Sequence, residues 1–274
     1  MNTFPLTLEK EYTVLLPPTP LVRILLIGVG GTGSHLAVSL ARLAVHARQR
    51  GVLVQLTFID PDIVDEVIIG RQNFCFAELA QNKAVTMALR LNVAFGLAIQ
   101  AIPEPFRVEM VPARTAGEVL LIGAVDNERA RQEMARAVER ANGRLWWLDS
   151  GNAEFNGQCL VGNLPPGKPV ILDSFYLCHG LPAPHVQEPG LLEPDRVAPP
   201  LSCAQMVLRE EQSLMVNQMA AAVAAQYAYQ FVLLRQLTSF DTRFNLSPFV
   251  AQTKQTTTTN LRPYLSRNGT AGTE

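Results

Sequence analysis

The residues with the clearest chemical purpose are Gly28-Val29-Gly30-Gly31-Thr32-Gly33-Ser34, followed about one βαβ unit later by Asp60-Pro61-Asp62. A glycine-rich turn between a strand and a helix aims free backbone N–H groups at an anion, and phosphate suits it best. Gly28 permits the tight turn, and Gly30, Gly31 and Gly33 allow close approach of ligand and helix. A carboxylate at the end of the second strand is where a ribose-binding acid belongs, and Asp60 stands there. Asp60-Pro61 is also a turn signal, so a helix-capping or turn aspartate is the plainer reading. Taken alone, this pair of features points to a dinucleotide and hydride transfer. The next residues point elsewhere: Asp62, then Arg71-Gln72, then Gln81-Asn82-Lys83. Cations so soon after the ribose carboxylate suit a triphosphate, because the glycine turn already satisfies the two phosphates of a dinucleotide. Asp126, at the end of a later strand, adds a carboxylate able to hold Mg²⁺ where the strand ends converge.

The elements that must position these residues follow from the apolar pattern. Strands are expected at 22–27, 52–59, 98–102, 118–125 and 145–148, and helices at 34–48, 82–95 and 127–142. That alternation predicts a Rossmann-like, doubly wound, mainly parallel α/β sheet. After Gly151 the pattern loosens. Short strands are expected at 158–161 and 170–172, and a long loop at 180–200, which holds Pro182, Pro184, Pro189, Pro194, Pro199 and Pro200. Residues 203–237 read as one long helix or two in tandem, and 242–246 as a strand of an antiparallel extension. The expected organisation is an N-terminal arm (1–20), a nucleotide-binding half (21–150), a second half of the same domain (151–250) and a polar tail (251–274).

Composition narrows the class. Hydrophobic residues are 48% of the 274 and charged residues 17%, which suits parallel strands covered on both faces. A net charge of −1 gives no electrostatic footprint for nucleic acid or an anionic membrane. Residues 214–234 are apolar, but Asn217, Gln218, Gln226 and Gln230 interrupt them, so a buried helix is expected and no membrane span. Cys75, Cys159, Cys178 and Cys203 form no Cys-x-x-Cys pair and no signal peptide is visible, so free thiols in a reducing cytoplasm are expected. Cys75, Cys159 and Cys178 read as packing residues. Cys203 stands where a helix N-terminus lowers a thiol pKa, which makes it a candidate nucleophile; a small buried residue at a helix start is the alternative.

Together these residues resemble the ThiF/MoeB and ubiquitin-activating superfamily of ATP-dependent adenylating enzymes. The resemblance spans roughly residues 20–237 and rests on the Gly28–Ser34 loop, Asp60-x-Asp62-x-Val64 with Arg71-Gln72, Lys83, and Val125-Asp126-Asn127 with Arg131. Ser150-Gly151, Gly157-Gln158 and Cys203 ahead of the long helix also fit. Within the superfamily the chain looks most like the ThiF-related member of the ParB-related, ThiF-related cassette of bacterial plasmids.

The resemblance implies a role for each motif. The Gly28–Gly33 loop contacts phosphates, Asp60 the ribose, Arg71 and Lys83 the triphosphate, and Asp126 the Mg²⁺, with Asp62, Gln72 and Asn127 alongside. It implies adenylation of the C-terminal glycine carboxylate of a ubiquitin-like or sulfur-carrier-like protein, and a catalytic set of Arg71, Asp126 and Cys203. Cys203 would then take the acyl group, with a conjugating enzyme as a further partner, and the chain would pair as a homodimer. Three departures stand out. Ile68 occupies a position where relatives carry asparagine, the two zinc-binding Cys-x-x-Cys pairs of many relatives are missing, and the first arginine, Arg23, lies inside a strand. They make a weak or inactive nucleotide- and partner-binding module the alternative function.

Overall fold

Leu21–Ile27 is apolar at every position except Arg23, the pattern of a strand with no solvent face. In the computed structural model, which describes residues 9–112, 117–194 and 214–266, it lies inside an eight-stranded sheet. A short antiparallel pair stands apart, Val14–Leu15 (β1) with Gln236–Leu237 (β8). The main sheet contains Leu21–Ile27 (β2), Leu53–Ile59 (β3), Gln100–Ile102 (β4), Glu118–Gly123 (β5), Leu145–Asn152 (β6), Asn156–Gly162 (β7), Ser239–Leu246 (β9) and Phe249–Gln255 (β10). Its order is β10-β9-β7-β6-β5-β2-β3-β4. The β4, β3, β2, β5 and β6 strands pair in parallel, while β7, β9 and β10 join as antiparallel strands.

Strand order reverses at β2, which has β3 on one side and β5 on the other. In a doubly wound sheet, the loops leaving two such neighbours part and open a crevice. The helices Gly31–Gln49 (α1), Lys83–Phe95 (α2) and Leu214–Tyr229 (α5) lie over one face, and Glu128–Ala141 (α3) over the other; the short helix Pro184–Gln187 is α4. Alternate residues of each strand feed two separate cores. Ile24, Leu26 and Phe58 meet Leu36 and Leu40 of α1 and Ala224 of α5, whereas Leu25, Ile27 and Leu121 meet Met134 and Val138 of α3.

Several expectations change. The strand expected at 118–125 ends at Gly123, which frees Ala124, Val125 and Asp126 to turn outward. The strand expected at 145–148 runs on to Asn152, because Asp149 and Ser150 are buried despite their polarity. Residues 170–172 form isolated bridges to Leu265 and Cys178 rather than a strand. Up to residue 194, the expected loop contains α4 and a 3₁₀ turn, Pro189–Leu192. The apolar run 214–234 is the buried helix α5, continued by a π-turn at Gln230–Leu234, and no described helix is long and apolar enough to cross a membrane. In the region read as a polar tail, residues 251–255 complete β10, and a one-turn helix follows at Thr258–Leu261. Cys203 lies outside the described residues.

Candidate functional site

Gly28 leaves β2 with φ +86°, and its N–H donates to Ile59 O at 2.9 Å. A side chain here would stand 2.5 Å from Ala124 O, so glycine alone fits where the β2 and β5 loops cross. The turn then delivers Gly30, Gly31 and Thr32 to the start of α1. This first turn holds no acidic residue, and Gly30 makes no side-chain cap, so the partial positive charge of a 19-residue helix faces the crevice unneutralised. Gly33 points the other way: a Cβ would sit 2.0 Å from Gly28 O, so its role is packing of helix against turn.

Asp60 directly follows β3 and is 4% exposed. Its Oδ2 accepts from Val29 N–H at 2.6 Å and its Oδ1 from Asp62 N–H at 2.9 Å. Burial pushes its pKa up, while those two N–H groups and the Lys83 charge pull it back. Asp60 thus holds the glycine loop in place, the turn role that the sequence offered, and lines the crevice.

Asn82 caps α2 by accepting from Val85 N–H at 3.0 Å, and its amide donates to the carbonyls of Asp60 and Asp62. The lacing brings Lys83 Nζ within 3.1 Å of Asp62 Oδ2, with the lysine nearly buried and the aspartate open to solvent. On the far side, Asn127 caps α3 through Ala130 N–H and holds exposed Asp126 beside it. Arg131, one turn into α3, pairs with fully buried Asp149 at 3.3 Å and donates to Val125 O at 2.7 Å.

A single cleft of about 1400 Å³ gathers these groups. Gly28, Gly30, Gly31, Asp60 and Asp62 line one wall, with Arg71, Gln72 and Lys83 next to them. Asp126 and Asn127, from the loop after β5, line the cleft as well. Sequence reasoning missed Asn217, Arg243 and Phe244, which also line it. Asn217 was visible as a polar residue in an alanine-rich helix. Arg243 carried no local signal, because β9 reaches the cleft only through its pairing with β7.

The donor set fits a nucleoside triphosphate, with an uncapped helix start for phosphate, a buried carboxylate after β3, and Arg71 and Lys83 for further charge. Asp126 is an exposed carboxylate on the cleft, of the kind that, with phosphate and water, usually holds Mg²⁺. Among the described residues no cluster of three or more acidic, histidine or cysteine side chains could hold a metal ion. Ile68 is 8% exposed within the core and offers the cleft no polar group. Of the other cysteines, Cys159 and Cys178 are buried, which pushes both thiols up to about 12, whereas Cys75 is exposed rather than packed. Cys178 Sγ turns to Gly180 O and His179 to Asp173, so these neighbours form no Cys/His couple.

The fold is shared with solved structures. E. coli MccB with AMPCPP and MccA superposes with a TM-score of 0.57 at 16% identity, and MccB with ATP with 0.56 at 16%. PaaA gives 0.53 at 14%. In each case the match covers 86% of this chain and 64% of the other, so the chain spans less than two thirds of their length. No curated protein matches it. The ThiF family profile matches residues 21–266, nearly the whole described fold including the cleft, and the chain therefore belongs to the ThiF family.

Proposed function

We propose that the cleft binds ATP and joins AMP to the C-terminal carboxylate of a ubiquitin-like or sulfur-carrier-like protein ending in glycine. The observation that carries this reading is the convergence, in one cleft, of an uncapped helix start, the Asp60 carboxylate, the Arg71 and Lys83 cations, and Asp126. Membership of the ThiF family supports it, as do solved neighbours that hold ATP or AMPCPP. A carboxylate oxygen of the substrate attacks the α-phosphorus, the bond to the β-phosphate oxygen breaks, and pyrophosphate leaves. The acyl adenylate that results has a good leaving group where the free carboxylate had none.

In this scheme the α1 N-terminus and Gly30 bind phosphate oxygens, Asp60 accepts from the ribose hydroxyls, and Arg71 and Lys83 offset the charge of the departing pyrophosphate. Mg²⁺ held by Asp126 would neutralise triphosphate charge. Transfer of the acyl group to the Cys203 thiol, with release of AMP, is a second proposed step and rests on sequence position. A homodimer, a conjugating enzyme and membership of the plasmid cassette belong to the same proposal. A small protein ending in glycine encoded beside this chain would be the expected substrate.

The test is ATP–pyrophosphate exchange in the presence of that small protein. Wild type should exchange, a partner lacking its terminal glycine should not, and Asp126→Ala should lower the rate by about 10²-fold or more. The burial of Ile68 favours one other reading, a module that binds nucleotide and partner without turnover. ATP binding without any exchange by wild type would establish that module instead. For Cys203 the readout is a reductant-sensitive conjugate that disappears in Cys203→Ala.

A further inference from the structure

Asn217, in the first turns of α5, is 4% exposed and lies against the start of α1. Its Oδ1 accepts from Thr32 Oγ1 at 3.2 Å and from Asn152 Nδ2 at 2.8 Å. A carboxamide has two further N–H donors on its nitrogen. Among the described residues, Asn217 Nδ2 has no acceptor. That nitrogen would lie 2.9 Å from a Cβ on Gly31, so it sits at the mouth of the helix, in the wall of the cleft. Asn217 Nδ2 is not one of the buried unpaired side-chain atoms, so its free N–H donors open on the cleft, where a ligand can accept from them. The surroundings define that ligand's charge, because the adjoining first turn of α1 has neither a side-chain cap nor an acidic residue.

We infer that Asn217 is a nucleotide-binding residue whose amide N–H₂ donates to a phosphate oxygen seated at the α1 N-terminus. The inference rests on the proposed ATP site and adds to it a group from the C-terminal half of the chain. Thr32 and Asn152 hold the amide carbonyl, which fixes the orientation of the N–H₂ before ligand arrives. It also ties phosphate recognition to α5, the helix that separates the nucleotide half from β9 and β10. Gly31 belongs to the same device, since any side chain there would displace the Asn217 amide.

The test compares ATP and adenosine binding, by calorimetry, in wild type and Asn217→Asp. Aspartate keeps an oxygen for Thr32 and Asn152 but puts a carboxylate where the N–H₂ was. ATP affinity should fall by about tenfold or more, with adenosine affinity and melting temperature close to wild type. Asn217→Ser, uncharged and shorter, serves if the aspartate variant does not fold, and should likewise weaken ATP and spare adenosine. Equal loss of ATP and adenosine would reduce Asn217 to a structural residue and overturn the inference, as would unchanged ATP binding. If wild type itself binds no ATP, the nucleotide reading of the cleft fails first, which is a distinct result.

Discussion

Asp149 has no exposed side-chain surface, yet it keeps an ionisable carboxyl beneath the cleft floor. Burial pushes its pKa up, and the Arg131 guanidinium at 3.3 Å pulls it back. Such a pair adds little net stability, because desolvation offsets the attraction, but it is costly to break from one side. Arg131→Met should therefore destabilise the fold by about 3–5 kcal/mol, measured by urea denaturation. Adding Asp149→Leu should recover much of that loss, since the stranded carboxyl is then gone. Equal midpoints for the single variant and wild type would show that Asp149 needs no counter-charge. At this scale the sequence revealed residues whose type is rare in their surroundings: the glycines, Asp60, Arg71, Lys83 and Asp126. It hid those placed by distant pairing. Arg243 reaches the cleft because Gln158 pairs with it across β7 and β9, and no local spacing announces such a partner.

Between elements, one close constraint is the crossing of the loops that leave β2 and β5. Gly28→Ala adds a methyl group 2.5 Å from Ala124 O and 2.9 Å from Val125 Cγ1, at φ +86°. Backbone strain and overpacking together predict a loss of about 2–4 kcal/mol in a urea titration. Gly70→Ala isolates the first of these terms, because Gly70 has φ +90° but nothing within 4 Å of its Cβ position. It should cost only about 1 kcal/mol. If the two variants lose the same amount, the crossing is slack and the close approach of Gly28 to Ala124 is not a constraint. β2 and β5 were legible because burial on both faces turns them into continuous apolar runs. The β10 strand was not, since all seven of its residues are exposed and show no alternation to read. Residues 170–172 failed in the opposite sense, an apolar triplet that packs without forming a ladder.

Over the whole molecule, strand–helix alternation was enough to specify the doubly wound half. The antiparallel half depends on β7 meeting β9, which the chain reaches only after a long excursion through α5. That excursion carries His185 into the second face of the sheet, stacked on Trp147 at 5.6 Å, with neither ring nitrogen hydrogen-bonded among the described residues. Burial holds its pKa below the ordinary 6.5, and Glu139, 3.6 Å away, only partly opposes the shift. The unfolded chain therefore takes up a proton near pH 6.5 that the folded chain refuses. Stability from this source is complete above that pH and declines as pH falls below it, by at most about 1.4 kcal/mol per pH unit for one group. His35, half-buried beside Arg71, is shifted down in the same direction and adds to the slope. His185→Phe keeps an aromatic ring on Trp147 and cannot titrate. Urea midpoints between pH 7 and pH 5 should consequently fall less steeply in His185→Phe than in wild type, with the His35 contribution remaining. Parallel slopes would mean that His185 is protonated as readily in the fold as outside it, and the stack on Trp147 would have to admit a charged ring.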